Sequence, residues 1–289
     1  MTIRVPDSKG RPRVSPFLLT ALLLACGRQD SPPNPPATPA TRIVSLAPNL
    51  TEILFALGLD NSVVGVTDFC DYPPRAKTKA RVGGITTPSF ETIAELKPDL
   101  VLMTVAGNSR ADHDKLLSLG LTVVATDPST VEGIYASIDR IGSLTGTQDR
   151  ADSLIIALRQ TQHDLMARAQ ARAPRSVLIL LSLRPLIGAG TGSFIDDLLR
   201  LANATNVAAG TASAYPLLSR EHLLQTNPDV LIVLDDVASD PREVIEAYPE
   251  WNTLDAVRNG RVIILDTNLI SRPGPRIMEG LRLLISALE

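Results

Sequence analysis

The segment TQDRADSLIIALRQTQHDLMARAQARA, residues 147–173, holds neither glycine nor proline, and Pro174 follows it. Ala151, Leu154, Ile155, Leu158, Leu165 and Ala169 recur within it at helical spacing. That periodicity predicts one unbroken helix of about 25 residues, about 37 Å long. Such a helix is longer than most in globular proteins and suits a strut between two bodies.

The same pattern appears on both sides of the strut. From Arg42 the chain reads β-α-β. Residues 43–46 form a short buried strand, and a helix over 52–57 follows, capped by Asn49 or Thr51 and ended by Gly58. Strands are expected at 63–66, 100–103 and 121–125, with helices at 92–96 and 111–119. After Pro174 the pattern restarts, with strands at 177–181, 230–234 and 262–265, a helix at 194–201 and a last helix at 278–288. Strands so apolar on both faces imply parallel sheets covered by helices.

An internal repeat supports two halves. Glu91-Thr-Ile-Ala-Glu-Leu-Lys-Pro-Asp-Leu-Val-Leu matches Glu221-His-Leu-Leu-Gln-Thr-Asn-Pro-Asp-Val-Leu-Ile. Each Glu follows a Ser by two residues, Ser89 and Ser219. Those serines suit helix N-caps. Two matching halves imply two lobes with a ligand cleft between them. Glu91 and Glu221 admit two readings. A first-turn carboxylate is favoured by the helix dipole alone, and one acid at the same place on each lobe also fits docking onto a two-fold partner.

The N-terminus reads as an export signal. Arg4, Lys9, Arg11 and Arg13 precede a short apolar run, residues 14–25, which is too short to span a bilayer. The run ends Leu23-Leu24-Ala25-Cys26-Gly27, which resembles the lipobox of bacterial lipoproteins; the alternative is a plain signal peptide with a cysteine nearby. Lipidation of Cys26 would anchor the chain to a membrane. Residues 31–40, SPPNPPATPA, form a proline-rich extended tether. The expected division is a signal over 1–25, a tether over 26–41, an α/β lobe over 42–146, the strut over 147–173 and a second α/β lobe over 174–289. With Cys26 lipidated, Cys70 has no disulfide partner, because the chain has only two cysteines.

The composition narrows the function classes. The 289 residues are 44% hydrophobic and 20% charged, with a net charge of −3, so no basic footprint for nucleic acid exists. Hydrolase, zinc-protease and Walker signatures are absent from the sequence, and no enzyme activity is expected. Gly188-Ala-Gly190-Thr-Gly192 could cradle a phosphate, but its spacing suits a tight turn better. His113, His163 and His222 lack metal-ligand spacing, so no metal and no cofactor is expected.

Several motifs in order resemble the periplasmic binding proteins for cobalamin and ferric siderophores. They are Arg42-Ile-Val-Ser-Leu-Ala-Pro-Asn-Leu-Thr-Glu52, Asp71-Tyr-Pro-Pro74, Val82-Gly-Gly, Lys97-Pro-Asp-Leu-Val101, Gly192-Ser-Phe-Ile-Asp-Asp-Leu198, Tyr215-Pro-Leu-Leu-Ser-Arg-Glu221 and Arg272-Pro-Gly-Pro-Arg-Ile277. The resemblance implies two Rossmann-like lobes joined by a rigid helix, agreeing with the residue pattern. It implies that Glu91 and Glu221 dock into arginine pockets of a permease. Its partners would be ABC permease and ATPase subunits and a small-molecule ligand, with a monomeric receptor in the periplasm or cell envelope.

Residues 67–74 resemble the cobalamin-binding branch in particular. There, positions matching Phe69 and Tyr215 line the cleft, and positions matching Asn268 and Arg272 reach the ligand's edge. Ile85 and Thr104 stand where that branch has tryptophans, and Asn268 replaces a carboxylate. A ferric-siderophore receptor would use cleft arginines, for which Arg110, Arg184, Arg272 and Arg276 are the candidates. A haem receptor would use an axial Tyr or His, for which Tyr72 is the candidate. A cell-envelope interaction protein without transport is the alternative from another class.

Overall fold

The computed structural model describes residues 38–211 and 213–289. The expected signal peptide, the Cys26 lipidation site and most of the tether lie outside the described residues.

The first lobe holds β1 (Ile43–Ser45), α1 (Pro48–Ala56), β2 (Val63–Val66), β3 (Ala80–Arg81), α2 (Phe90–Glu95), β4 (Leu100–Thr104), α3 (Arg110–Ser118), β5 (Val123–Thr126) and α4 (Val131–Thr145). Its strands form one sheet in the order β3-β2-β1-β4-β5, with every pair parallel. This is a doubly wound order. The chain leaves β1 toward β2 and later returns to the other side at β4. Between those two strands the connections diverge and leave a crevice at the strand ends, which is where such sheets hold ligands.

Helix α1 departs from the sequence expectation. It begins at Pro48, whose missing N–H costs nothing at a first helical position. Neither expected cap is used: the Asn49 amide donates to the Pro273 carbonyl at 3.3 Å, and Thr51 turns inward to Ser45 and Cys70.

The strut is α5 (Gln148–Gln170), a single helix of 23 residues. It buries Ala151, Leu158, Leu165 and Ala169 along one stripe. Helix α4 lies antiparallel beside it. A Cβ on Gly142 would stand 2.5 Å from the Ala151 Cβ, so this close crossing requires glycine. Farther along, the Tyr135 hydroxyl donates to Gln162 at 2.7 Å. The strut is fastened at both ends. Arg150 donates to the Leu57 carbonyl at 2.8 Å, and Arg168 makes a two-pronged pair with Glu289 at 2.6 and 2.7 Å.

The second lobe holds β6 (Arg175–Leu183), β7 (Leu186–Gly188), α6 (Phe194–Leu201), β8 (Ala204–Asn206), α7 (Arg220–Thr226), β9 (Val230–Leu234), α8 (Pro241–Ala247), α9 (Asp255–Arg258), β10 (Val262–Leu265), α10 (Thr267–Ile270) and α11 (Ile277–Leu288). The sheet runs β10-β9-β6, and the far edge of β6 is shared by two short strands. Strand β8 pairs parallel with the start of β6, while β7 folds back antiparallel on its end.

The repeat seen in the sequence is a repeat in space. Residues 91–100 and 221–230 share the same helix-to-strand transition. In both, the first Glu is exposed, the third residue is buried, and the proline before the strand is buried. Ser89 and Ser219 cap α2 and α7, accepting from the N–H groups of Thr92 and His222.

The two lobes share one core. Ile43, Leu50, Tyr135, Leu158, Leu165, Val177, Leu198 and Leu281 belong to a single buried cluster that runs from one sheet through α4 and α5 to the other. The opposite faces have their own clusters: Val44, Val101 and Met103 in the first lobe, and Leu178, Leu231 and Trp251 in the second. Neighbouring strand residues alternate between the shared and the private core, as the pleat demands. A continuous close-packed core makes the two lobes one stiff body.

Candidate functional site

A cavity of about 710 Å³ lies where the carboxyl ends of the two sheets face each other. This volume falls in the ordinary range for small-molecule sites. From the first lobe, Ala47, Pro48 and Asn49 follow β1, and Thr104, Ala106 and Gly107 follow β4. These are the two strands flanking the switch point. From the second lobe, Asp235 and Asp236 follow β9, and Thr267, Asn268 and Arg272 follow β10. Phe69, Ile85, Phe194 and Tyr215 complete the wall.

Phe69 sits on a turn after β2 and is 57% exposed, although it is a large apolar ring. What holds the turn is polar. The Thr51 and Thr67 hydroxyls each lie 3.1 Å from the Cys70 sulfur, and Arg81 donates to the Thr67 and Cys70 carbonyls at 2.7 and 3.0 Å. Cys70 is buried and free of any disulfide. It anchors the turn that presents its neighbour Phe69 to the cleft. Across the cavity, Tyr215 is 44% exposed, and burial pushes its phenol above its usual range.

The rim of the second lobe carries two carboxylates. The Asp235 carboxylate accepts from the Thr267 N–H at 2.9 Å, and hydrogen bonds from Thr267 hold it below the usual carboxylate range. The Thr267 hydroxyl donates to Asp236. Both acids are exposed to the cleft, and neither has an ion-pair partner among the described residues.

The only cation among the described residues lining this cavity is Arg272. It is already engaged. Its Nη1 lies 2.6 Å from Asp71 and 3.6 Å from Glu52. Arg276, four residues on, pairs with Glu52 through two bonds of 2.6 and 2.9 Å. The side chains of Glu52, Arg272 and Arg276 are only 2%, 15% and 15% exposed. Glu52 and Asp71 belong to the first lobe and the arginines to the second, so this cluster clasps the lobes together at the cleft.

Of the ligand residues expected from the sequence, Phe69, Tyr215, Asn268 and Arg272 come together around the cavity. Tyr72 does not. Its ring lies 3.8 Å from the Arg276 guanidinium carbon and lines a separate cavity of about 520 Å³ with Glu52, Phe55 and Glu279. The cation–π contact holds the ring over Arg276, outside the lining of the larger cavity. Of the other arginines considered, Arg110 pairs with Asp114 on α3, Arg276 with Glu52, and Arg184 lies outside the cavity lining. Among the described residues no histidine lines the cavity, and no cluster of metal-ligating side chains occurs.

Asn108 escaped the sequence reading. Its side chain accepts from the Thr104 N–H at 2.9 Å and donates to the carbonyls of Leu46 and Ile85 at 3.2 and 2.8 Å. It ties the ends of β1 and β4 to the loop carrying Ile85. A lone Asn in a loop gives no signal of such a three-way tie.

Glu91 and Glu221 are exposed, each at the second position of its helix. Each helix runs back against the strand that follows it, so its N-terminus falls toward the carboxyl end of the sheet, where the cleft lies. The Ser89 N–H bonds to Val82, and the Asp68 N–H to Gly83, which links this helix start to the Phe69 turn. The Glu221 carboxyl is held below its usual range by its own backbone N–H and by the Ser219 hydroxyl.

The sequence profile described as periplasmic binding protein matches residues 43–269. The ABC transporter substrate-binding lipoprotein YvrC of Bacillus subtilis is 33% identical over 254 residues, covering 86% of this chain and 79% of YvrC. Among solved structures, the periplasmic vitamin B12 binding protein BtuF of Vibrio cholerae superposes with a TM-score of 0.77 at 29% identity, covering 87% of this chain and 97% of that one. The periplasmic heme-binding protein BhuT, solved with two hemes, gives 0.79 at 26% identity over 86% of this chain and 97% of its own.

Proposed function

Because this chain belongs to the periplasmic binding protein family and serves as the substrate-binding component of an ABC transporter, we propose that its cleft captures a corrinoid and presents it to the permease. The observation that carries this reading is the charge and shape of the cavity wall. Exposed rings stand on opposite lobes, Phe69 and Tyr215, and suit the broad apolar face of a corrin macrocycle. The charges left without an ion-pair partner at the rim are carboxylates, Asp235 and Asp236. A corrinoid offers carboxamide donors around its edge to meet them. Ferric siderophores with carboxylate arms and haem with its propionates would bring like charge to Asp235 and Asp236, which disfavours them.

Haem is the second reading, supported by the likeness to BhuT and by Tyr215 in the cavity. Iron ligation by tyrosine uses the phenolate. Burial raises the Tyr215 phenol, which opposes that form.

Glu91 and Glu221 would dock the receptor onto the two permease subunits. Their exposure, their equivalent places on the two lobes and the charge held on Glu221 support that role. Cys26, at the end of the apolar N-terminal run, would carry a lipid anchor, as the naming of YvrC as a lipoprotein supports.

Thermal melting with three ligands tests the reading. Cyanocobalamin at a hundredfold excess over its Kd should stabilise the protein by about 2.7 kcal/mol, which is roughly 5–10 °C for a body of this size. Haemin and a ferric siderophore at the same concentration should give less. Stabilisation by haemin or siderophore with none by cyanocobalamin would overturn the assignment.

A further inference from the structure

We propose that Asp71 sets the charge class of ligand the cleft accepts, by holding Arg272 in an ion pair that leaves no free cation among the described residues of the cavity wall. The inference rests on the cavity being the ligand site. It adds a residue that does not itself line that cavity.

The geometry separates the two carboxylates near Arg272. Glu52 is committed to Arg276 through its two short bonds and reaches Arg272 only at 3.6 Å. Asp71 lies 2.6 Å from the Arg272 Nη1 and has no other ion-pair partner among the described residues. The arginine side chain is 15% exposed and Asp71 is 49% exposed, so the acid sits at the wet edge while the cation faces the cavity. Arg272 also lies 3.5 Å from the Phe69 carbonyl, which fixes it against the turn that carries the ring. Two guanidiniums therefore face two carboxylates in the clasp, while Asp235 and Asp236 remain unmatched across the cavity.

Removing the charge of Asp71 leaves one carboxylate between two guanidiniums. Arg272 then presents an unspent, planar donor fork to the cavity, the geometry that binds carboxylates well. The Arg272 side chain also keeps the Asp71 carboxyl below its usual range, which favours the charged form that the pair requires.

The test compares haemin, which carries two anionic propionates, with its uncharged dimethyl ester. In wild-type protein the ester should bind at least as well as haemin. In Asp71→Asn the haemin-to-ester affinity ratio should rise at least tenfold, and the gain should shrink as salt is added. Asp71→Glu should restore the wild-type ratio, and adding Arg272→Gln to Asp71→Asn should remove the gain. Asp71→Ser, read the same way, replaces Asp71→Asn if the amide destabilises the turn. The proposal is overturned if the ratio is unchanged in the uncharged variants, if they take up no haemin, or if the gain survives loss of Arg272. Cyanocobalamin titrated alongside separates the two claims: its failure to bind wild-type protein would overturn the corrinoid reading, whereas an unchanged haemin-to-ester ratio would overturn this one.

Discussion

Cells carrying Glu91→Ala together with Glu221→Ala are expected to lose uptake of the ligand, while the purified double variant still binds it. Both side chains are exposed at helix starts on separate lobes, so their truncation leaves the core and the cavity untouched. If each meets an arginine of the permease, losing one charged partner costs about 2–5 kcal/mol of interface energy. Losing both weakens docking by roughly a thousandfold or more. Each single variant should show a partial defect, because one anchored lobe still tethers the receptor. The comparison that matters is uptake against binding affinity measured on the same protein. Unchanged uptake by the double variant would reduce both residues to the helix-dipole role that their positions also allow.

Glu52→Gln is expected to be the most destabilising single change in the clasp. Glu52 is 2% exposed and serves two guanidiniums that are themselves largely buried. Taking away one member of a buried ion cluster leaves charge without compensation and costs about 3–5 kcal/mol. For a folded body of this size that corresponds to a fall of roughly 6–20 °C in melting temperature. The variant should also loosen the lobes. The strut and the clasp attach them at different places, and Arg276 and Arg272 reach Glu52 from the opposite lobe. Chemical denaturation read with X-ray scattering checks both effects. A melting temperature within a degree of wild type would show that water already reaches the cluster.

Much of this architecture can be read from the chain because it depends on local periodicity. Residues 63–66, 194–201, 230–234 and 262–265 form the elements their apolar patterns imply, with the same ends. The strut is likewise local: a stretch without helix breakers becomes α5, though it stops at Gln170 because Ala171 already caps it. Helix α4 is harder to see. Gly133 and Gly142 interrupt its pattern as breakers would, yet Gly142 is there to let Ala151 of the strut approach. The start of α1 is misread for a related reason. Asn49 and Thr51 have the chemistry of caps, but distant partners claim them, Pro273 and Cys70.

The site divides in the same way. The rings and polar groups that line it lie in motifs, so Phe69, Tyr215, Asn268 and Arg272 can be named in advance. Tyr72 lies three residues after Phe69 and has the same appearance in sequence, but Arg276 takes its ring to another surface. The clasp joins residues more than two hundred positions apart, as in Glu52 with Arg276 and Asp71 with Arg272. No spacing rule reports such pairs. They arise only when two lobes close on each other, and they decide which charges the cavity has left to offer.

Hydrogen exchange measured with and without cyanocobalamin tests the cleft itself. Bound ligand should slow exchange in both lobes at once, at the segments around 67–71 and 104–108 on one side and around 213–217, 235–237 and 267–273 on the other, with α5 unchanged. Protection confined to one lobe, or appearing instead around Tyr72 and Glu279, would contradict a ligand held between the two sheets.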